Sequence, residues 1–167
     1  VTLLIAPNKM HHLYLNQAIE HFPKARVLLA PGLAEKRPDL AGRESLPQAL
    51  DKWGLEQKFV RGLPELNETV FFHTSSGTLV ITDLAFHFPE HSHLPTRLFL
   101  WLNGALGRFG PTRMLKSVFL KERELFQEDM AEVLQWPIQN VVVGHGQEIL
   151  GGGLEKMRKA FSIAALC

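Results

Sequence analysis

A layered α/β domain is the architecture the sequence predicts, on three observations: a strand, helix, strand unit over residues 2–30, a β-hairpin pattern over 68–83, and a late buried strand followed by a helix. At 167 residues, 46% apolar and 21% charged, the chain has the size and composition of one domain with a real core, and one domain over 1–167 is expected.

Taken in order, residues 2–6 (TLLIA) read as a short strand closed by Pro7 and Asn8. Residues 13–22 follow as a helix whose Leu15, Ala18, Ile19 and Phe22 fall on one face, and Pro23 stops it. A second buried strand, 26–30 (RVLLA), ends at Pro31-Gly32. Residues 35–47 are polar and carry two prolines, which predicts an exposed connection before a helix over 48–55. ETVFFHTSSGTLVITD, 68–83, holds two β-rich runs around Ser75-Ser76-Gly77, a hairpin signal that places His73 on the first strand. An aromatic helix is expected in RLFLWLNGAL, and another within 115–136, where Phe126, Met130, Val133 and Leu134 form the buried stripe and Trp136-Pro137 ends it. NVVV, 140–143, is a buried strand broken by Gly144-His145-Gly146. Leu154, Met157, Phe161 and Ala164 mark a last helix.

Composition excludes several function classes. Eighteen Lys and Arg against 17 Asp and Glu leave a net charge of +1, which offers no global attraction to nucleic acid. The single cysteine, Cys167, rules out an internal disulfide and a Cys-rich zinc motif, and fits a cytoplasmic home. Apolar runs such as 98–102 are far shorter than the ~20 residues of a transmembrane segment, and no signal peptide opens the chain. There is no glycine-rich phosphate loop and no GxSxG elbow. Between 92 and 121 stand five basic residues and no acid, interleaved with Phe99, Trp101 and Phe109. This segment reads as a solvated rim around a buried or subunit-facing helix, with a homo-oligomer through 97–110, or as a local site for an anionic ligand or membrane surface.

Candidate chemistry gathers after strands, where a rigid sheet fixes groups that loops leave open to ligand. His11 and His12 follow TLLIA, Asp83 follows TLVIT and His145 follows NVVV. Imidazole and carboxylate together suit Zn, Mn or Fe. Each also has an ordinary structural reading. One histidine of the pair can cap the first helical turn while the other packs under the strand. Asp83 can cap a helix or turn, and His145 can be purely a turn residue. His73, His87, His91 and His93 supply further imidazoles, and a competing site of Asp83, His87, His91 and His93 is conceivable on composition alone.

The segments APNKMHHLYL, ETVFFHTSSGTLVITDLAF and VVVGHG, in this order and spacing, resemble the metallo-β-lactamase superfamily. That resemblance implies an αββα four-layer sandwich with a metal site at one edge. Because Val1 opens inside a strand-like run, the first strands of the fold are expected to lie upstream. The superfamily's HxHxDH motif, with its last His on His12, puts Pro7, Lys9 and His11 at the other ligand positions. RGLPELNE carries no counterpart of the next ligand His, whereas Asp83 matches the bridging aspartate and His145 the final ligand. The resemblance therefore implies one Zn, Mn or Fe ion, or none, on His12, Asp83 and His145, with His11 as a substitute ligand. Lys9 stands in for a lost charge, and Lys9 and His87 are candidate substrate contacts. The expected function is hydrolysis of an ester, amide, thioester or phosphoester bond in a small molecule; the alternative is a non-catalytic ligand-binding or interaction module.

Overall fold

The structure is a computed structural model and describes residues 1–90 and 93–162. His91, Ser92, Ala164 and Cys167 lie outside the described residues.

The chain runs β1 (Leu3–Ala6), α1 (Leu15–His21), β2 (Arg26–Leu29), α2 (Leu33–Lys36), β3 (Glu44–Ser45), β4 (Leu55–Phe59), β5 (Thr69–His73) and β6 (Thr78–Ile81). It continues through β7 (Phe86–His87), α3 (Leu94–Leu102), β8 (Phe109–Gly110), α4 (Arg123–Val133), β9 (Asn140–Val143) and α5 (Gly153–Ala160). β1, β2 and β3 form a parallel sheet in that order. The second sheet has the order β4-β5-β6-β9, antiparallel except for the β6/β9 pair, and β7 and β8 make a small antiparallel ribbon.

Side-chain alternation along the strands builds the layers. Val27 and Leu29 of β2 face α1 and α2, joining Leu15, Leu33 and Leu40. Leu28 points the other way and meets Phe71 of β5, with Leu3, Ile5, Leu55 and Val80 packed around them, so this cluster fills the space between the two sheets. Val70, Phe72, Leu79, Ile81 and Val141 face Phe126, Met130, Val133 and Met157 of α4 and α5. Three apolar clusters thus separate four layers, helices, sheet, sheet, helices: the expected αββα sandwich.

One departure from the sequence reading has a clear cause. The helix expected over 48–55 is a single 3-10 turn, Asp51–Trp53, closed by Gly54 at φ +66°, and the chain then extends as β4. Leu55, Gln57 and Phe59 alternate along it, a period of two that their mixed polarity hides. The helix expected within 115–136 is α4, preceded by a π turn, Leu115–Phe119. The stripe in α4 holds as read, with Phe126, Met130 and Val133 almost fully buried. It also contains a buried acid, Asp129, which receives the backbone N–H of Arg61 at 2.7 Å and the Arg61 guanidinium at 2.8 Å. On α3, Leu100 is buried while Leu98, Phe99, Trp101 and Leu102 are exposed.

Candidate metal centre

Three strand ends converge at one edge of the sandwich. β6 and β9 run parallel in register, Ile81 opposite Val143, so Asp83 and His145 leave the sheet at the same level. The Gly144 N–H donates to the Ile81 carbonyl at 3.0 Å and keeps the two exits together. From the other sheet the end of β1 is fastened by two bonds: Thr69 N–H to the Pro7 carbonyl and Lys9 N–H to the Leu66 carbonyl, each 2.9 Å.

Asn8 organises the loop that follows. It is fully buried, and its Oδ1 accepts the N–H groups of Met10 and His11, each at 2.8 Å. This folds the loop back so that the His11 ring enters the cleft. Its Nδ2 faces Asp83 Oδ2 at 2.7 Å, Thr82 Oγ1 at 2.8 Å and Glu68 Oε2 at 3.2 Å. Glu68, also fully buried, accepts the N–H groups of Thr82 at 2.6 Å and Asp83 at 2.9 Å, fixing the backbone that carries the Asp83 carboxylate. Burial raises the Glu68 pKa and the nearby Asp83 charge adds to this, while the two amides and Asn8 oppose it.

His11 Nε2 lies 3.1 Å from His145 Nε2 and 3.3 Å from Asp83 Oδ2, and His145 Nε2 lies 3.0 Å from Asp83 Oδ1. With Asp83 ionised, hydrogen bonding does not satisfy every edge of this triangle. With a proton on each Nε2 both carboxylate contacts are made, but the two nitrogens then oppose donor to donor. With one proton or none, a nitrogen lone pair faces the carboxylate. A cation in the middle satisfies all three. Metal bonds of about 2.0–2.1 Å at tetrahedral angles separate ligand atoms by about 3.3 Å, close to the spacings found. The donor set therefore fits one transition-metal ion, and among the described residues the cluster comprises these three side chains. It does not fit two ions, which need about five or six protein ligands.

Electrostatics agree with the geometry. Burial disfavours the Asp83 anion, but hydrogen bonds from His11, His145 and Asn8 outweigh it and hold the carboxyl well below the usual range. The hydrogen bond to Asp83 raises the His11 pKa against the effect of burial.

Glycine is required beside His145 by close approach. A Cβ on Gly144 would lie 2.8 Å from His11 Cε1 and 3.1 Å from Thr82 Cα, and one on Gly146 would lie 1.9 Å from the His87 carbonyl oxygen. The His145 ring packs against Phe86, with centroids 4.5 Å apart. Asp83 also forms one wall of a pocket whose other sides include Met10, Leu66, Phe86, Met114 and Phe119.

Placement corrects the reading of the histidine pair. His11, not His12, enters the cluster. The His12 Nδ1 lies 2.9 Å from Arg37 Nη1, and since a guanidinium only donates, this nitrogen is the acceptor of a ring facing α2. Burial lowers the His12 pKa, helped by the charges of Lys36 and Arg37. Counted from His11, the earlier positions of HxHxDH fall on Ala6, Asn8 and Met10, one residue before the alignment read from the sequence. Lys9 is not in the cleft: its Nζ donates to the Pro64 carbonyl at 2.9 Å. The His87 ring bonds the Gln147 carbonyl through Nδ1 at 2.7 Å. His73 lies against Ser76 in the hairpin turn, and His93 against Thr96 at the start of α3. The competing site with His87 and His93 does not assemble among the described residues, and its remaining member, His91, is outside them. Asn8 and Glu68 escaped the sequence reading. The available signals were an Asn directly after a strand-ending proline, and an acid at the entrance of the apolar strand TVFF.

No protein-family model matches the chain, and no curated protein matches it by sequence. Solved structures do match. TMB-1 superposes with a TM-score of 0.56 at 15% identity, covering 99% of this chain and 69% of that one. A metallo-β-lactamase from Pontibacter korlensis gives 0.57 at 13% identity, over 99% and 69%. Another from Erythrobacter litoralis gives 0.55 at 8% identity, over 96% and 67%. Identities this low speak for architecture, and together with the four layers and the edge location of the cluster they establish that the chain has the metallo-β-lactamase fold.

Proposed function

We propose that the protein is a hydrolase dependent on one Zn, Mn or Fe ion held by His11, Asp83 and His145, acting on an ester, amide, thioester or phosphoester bond of a small molecule. The observation that carries this reading is the triangle of two Nε2 atoms and a carboxylate, spaced as metal ligands and not fully satisfied by hydrogen bonds while Asp83 is ionised. Such an ion supplies Lewis acidity and makes water nucleophilic at neutral pH. The chain's own part is positional. Glu68 fixes the backbone at Asp83, Asn8 orients its carboxylate, and Phe86 fixes the ring plane of His145.

Metal analysis of protein purified without chelator tests the reading. About one equivalent is expected in the wild type and in His12→Ala, and a small fraction of that in His11→Ala, Asp83→Ala and His145→Ala, with circular dichroism confirming the fold of each. A wild type that takes up no stoichiometric metal under loading conditions ends the hydrolase reading. The rival, a non-catalytic ligand-binding module, is favoured by Ala6, Asn8 and Met10 standing where the motif keeps ligands. One equivalent of metal without turnover of any of the four bond classes selects it.

A further inference from the structure

The pocket beside Asp83 has a chemistry that narrows the substrate. Its walls are Met10, Leu66, Phe86, Met114, Leu115 and Phe119, with Thr112 and Asp83 as the polar members. The Thr112 hydroxyl oxygen is taken up by the Leu115 N–H at 3.0 Å. No lysine, arginine or histidine lines it. The two candidates for anion recognition are committed elsewhere, Lys9 on the Pro64 carbonyl and His87 on the Gln147 carbonyl. A charged group entering this pocket would lose hydration and meet no basic side chain among its walls. An apolar chain gains on every wall.

We propose that this pocket is an acyl subsite, taking a short, neutral, apolar chain from an ester, thioester or amide and rejecting phosphoesters and chains that carry a carboxylate. Its volume of about 70 Å³ is roughly five times what one water requires, enough for a chain of about four or five carbons. Met10 and Met114, both partly exposed, form its mouth, and their unbranched side chains adapt to chain shape. As a statement about the reaction this rests on the hydrolase reading. Water adds its oxygen to the acyl carbon, the bond to the alcohol, thiol or amine breaks, and the proton of water passes to that leaving group. As a statement about binding it stands on the pocket alone.

The test is methyl NMR on protein labelled at its four methionines, with metal removed by chelator and with metal loaded, titrated with acetamide, propionamide, butyramide, pentanamide and octanamide, and with succinamate and methyl phosphate. The Met10 and Met114 methyl signals are expected to shift with the amides, while Met130 and Met157, buried in the main core, stay fixed. Affinity should rise about fourfold per methylene and level off once the pocket is full, near pentanamide. Met114→Lys should weaken pentanamide at least tenfold. In the metal-free protein, methyl phosphate binding as tightly as pentanamide, succinamate binding as tightly as butyramide, or an amide series flat in chain length overturns the proposal. The metal content of the same samples separates the two readings. Metal-free protein that binds the amide series as expected upholds the subsite even where the hydrolase reading falls. Metal-free protein that prefers methyl phosphate to the amides sinks the subsite alone.

Discussion

Replacing Asn8 separates what holds the site from what would bind the ion. Asn8→Ala removes two kinds of contact: the Oδ1 cap on the Met10 and His11 amides, and the Nδ2 donation to the carboxylates of Asp83 and Glu68. A lost cap of this type costs about 0.5–2 kcal/mol, and a lost hydrogen bond to a charged group about 1.5–3 kcal/mol. Some of the groups left behind regain water at the cleft, so the combined expectation is about 2–4 kcal/mol. For a chain of this length that lowers Tm by roughly 5–15 °C. Because Asn8 touches Asp83 and the backbone of His11 but is not itself in the triangle, the affinity for zinc should fall about 10–100-fold. Asn8→Ser keeps an oxygen acceptor for the loop amides but has no second group to reach Asp83. It should recover about 1 kcal/mol of stability without recovering zinc affinity. Urea denaturation and competition with a chelating dye measure the two quantities on the same samples. Zinc affinity in Asn8→Ala within twofold of wild type would refute Asn8 as the positioning residue. Full recovery of affinity in Asn8→Ser would transfer that role from Nδ2 to the cap.

Gly144→Ala places a methyl group 2.8 Å from His11 Cε1 with Thr82 backbone behind it, so the ring must yield; about 1–3 kcal/mol of overpacking strain and at least tenfold weaker metal binding are expected in the same two assays. His12→Ala should keep the metal and lose about 1 kcal/mol, the worth of one hydrogen bond from Arg37, seen as a lower urea midpoint. Asp129→Asn should cost about 1.5–3 kcal/mol, because Arg61 and Lys58 lose a charged acceptor but stay partly in water. Its pH dependence has a fixed sign. Burial would raise the Asp129 pKa, but Arg61 and Lys58 outweigh it and depress the folded value. The stabilisation is therefore complete above the unfolded carboxylate value of about 3.9 and disappears as pH falls through the lower folded value. Wild type and Asp129→Asn should converge in stability on acidification below pH 4, as followed by urea midpoints; a gap that persists or widens there would refute the assignment.

Strong periodicity made most of the fold legible. β2 and β5 alternate between two apolar faces, and a strand buried on both sides announces itself as an unbroken run such as RVLL or TVFF. β4 stayed hidden because it is a strand at the edge of its sheet: LEQKF carries its pattern in Leu55, Gln57 and Phe59, and one polar member is enough to disguise the period. In the site, Asp83 and His145 were readable because each follows a buried strand directly. The histidine pair was not, since both lie in the turn before α1, where adjacent side chains point in different directions and only the loop decides which one enters the cleft. That loop is set by Asn8, whose partners Glu68, Thr82 and Asp83 are 60 or more residues away in sequence.

The one-residue shift of the motif also changes which side chains stand where the resemblance would put ligands. A carboxylate that bridges two ions gives one oxygen to each. Here Asp83 Oδ1 faces His145 at 3.0 Å, while Oδ2 faces His11 at 3.3 Å and also accepts the Asn8 amide at 2.7 Å. The hydrogens of an amide N–H₂ carry partial positive charge while the group has no net charge, so it can occupy the second side of the carboxylate with no ion and no added net charge. Lys9, which by sequence looked like the substitute charge, points to Pro64 instead. Met10, at the position of the motif's aspartate, faces the pocket as an apolar wall. At the positions where the resemblance would put ligands, an amide meets the Asp83 carboxylate and a methionine lines the pocket. Asn8→Asp tests this directly. It sets a carboxylate beside Asp83 and Glu68, and the added charge should be offset by proton uptake or by a second metal equivalent, which metal analysis and the pH dependence of stability tell apart. If Asn8→Asp instead stays at one equivalent and keeps wild-type stability from pH 5 to 8, the amide is not standing in for a cation.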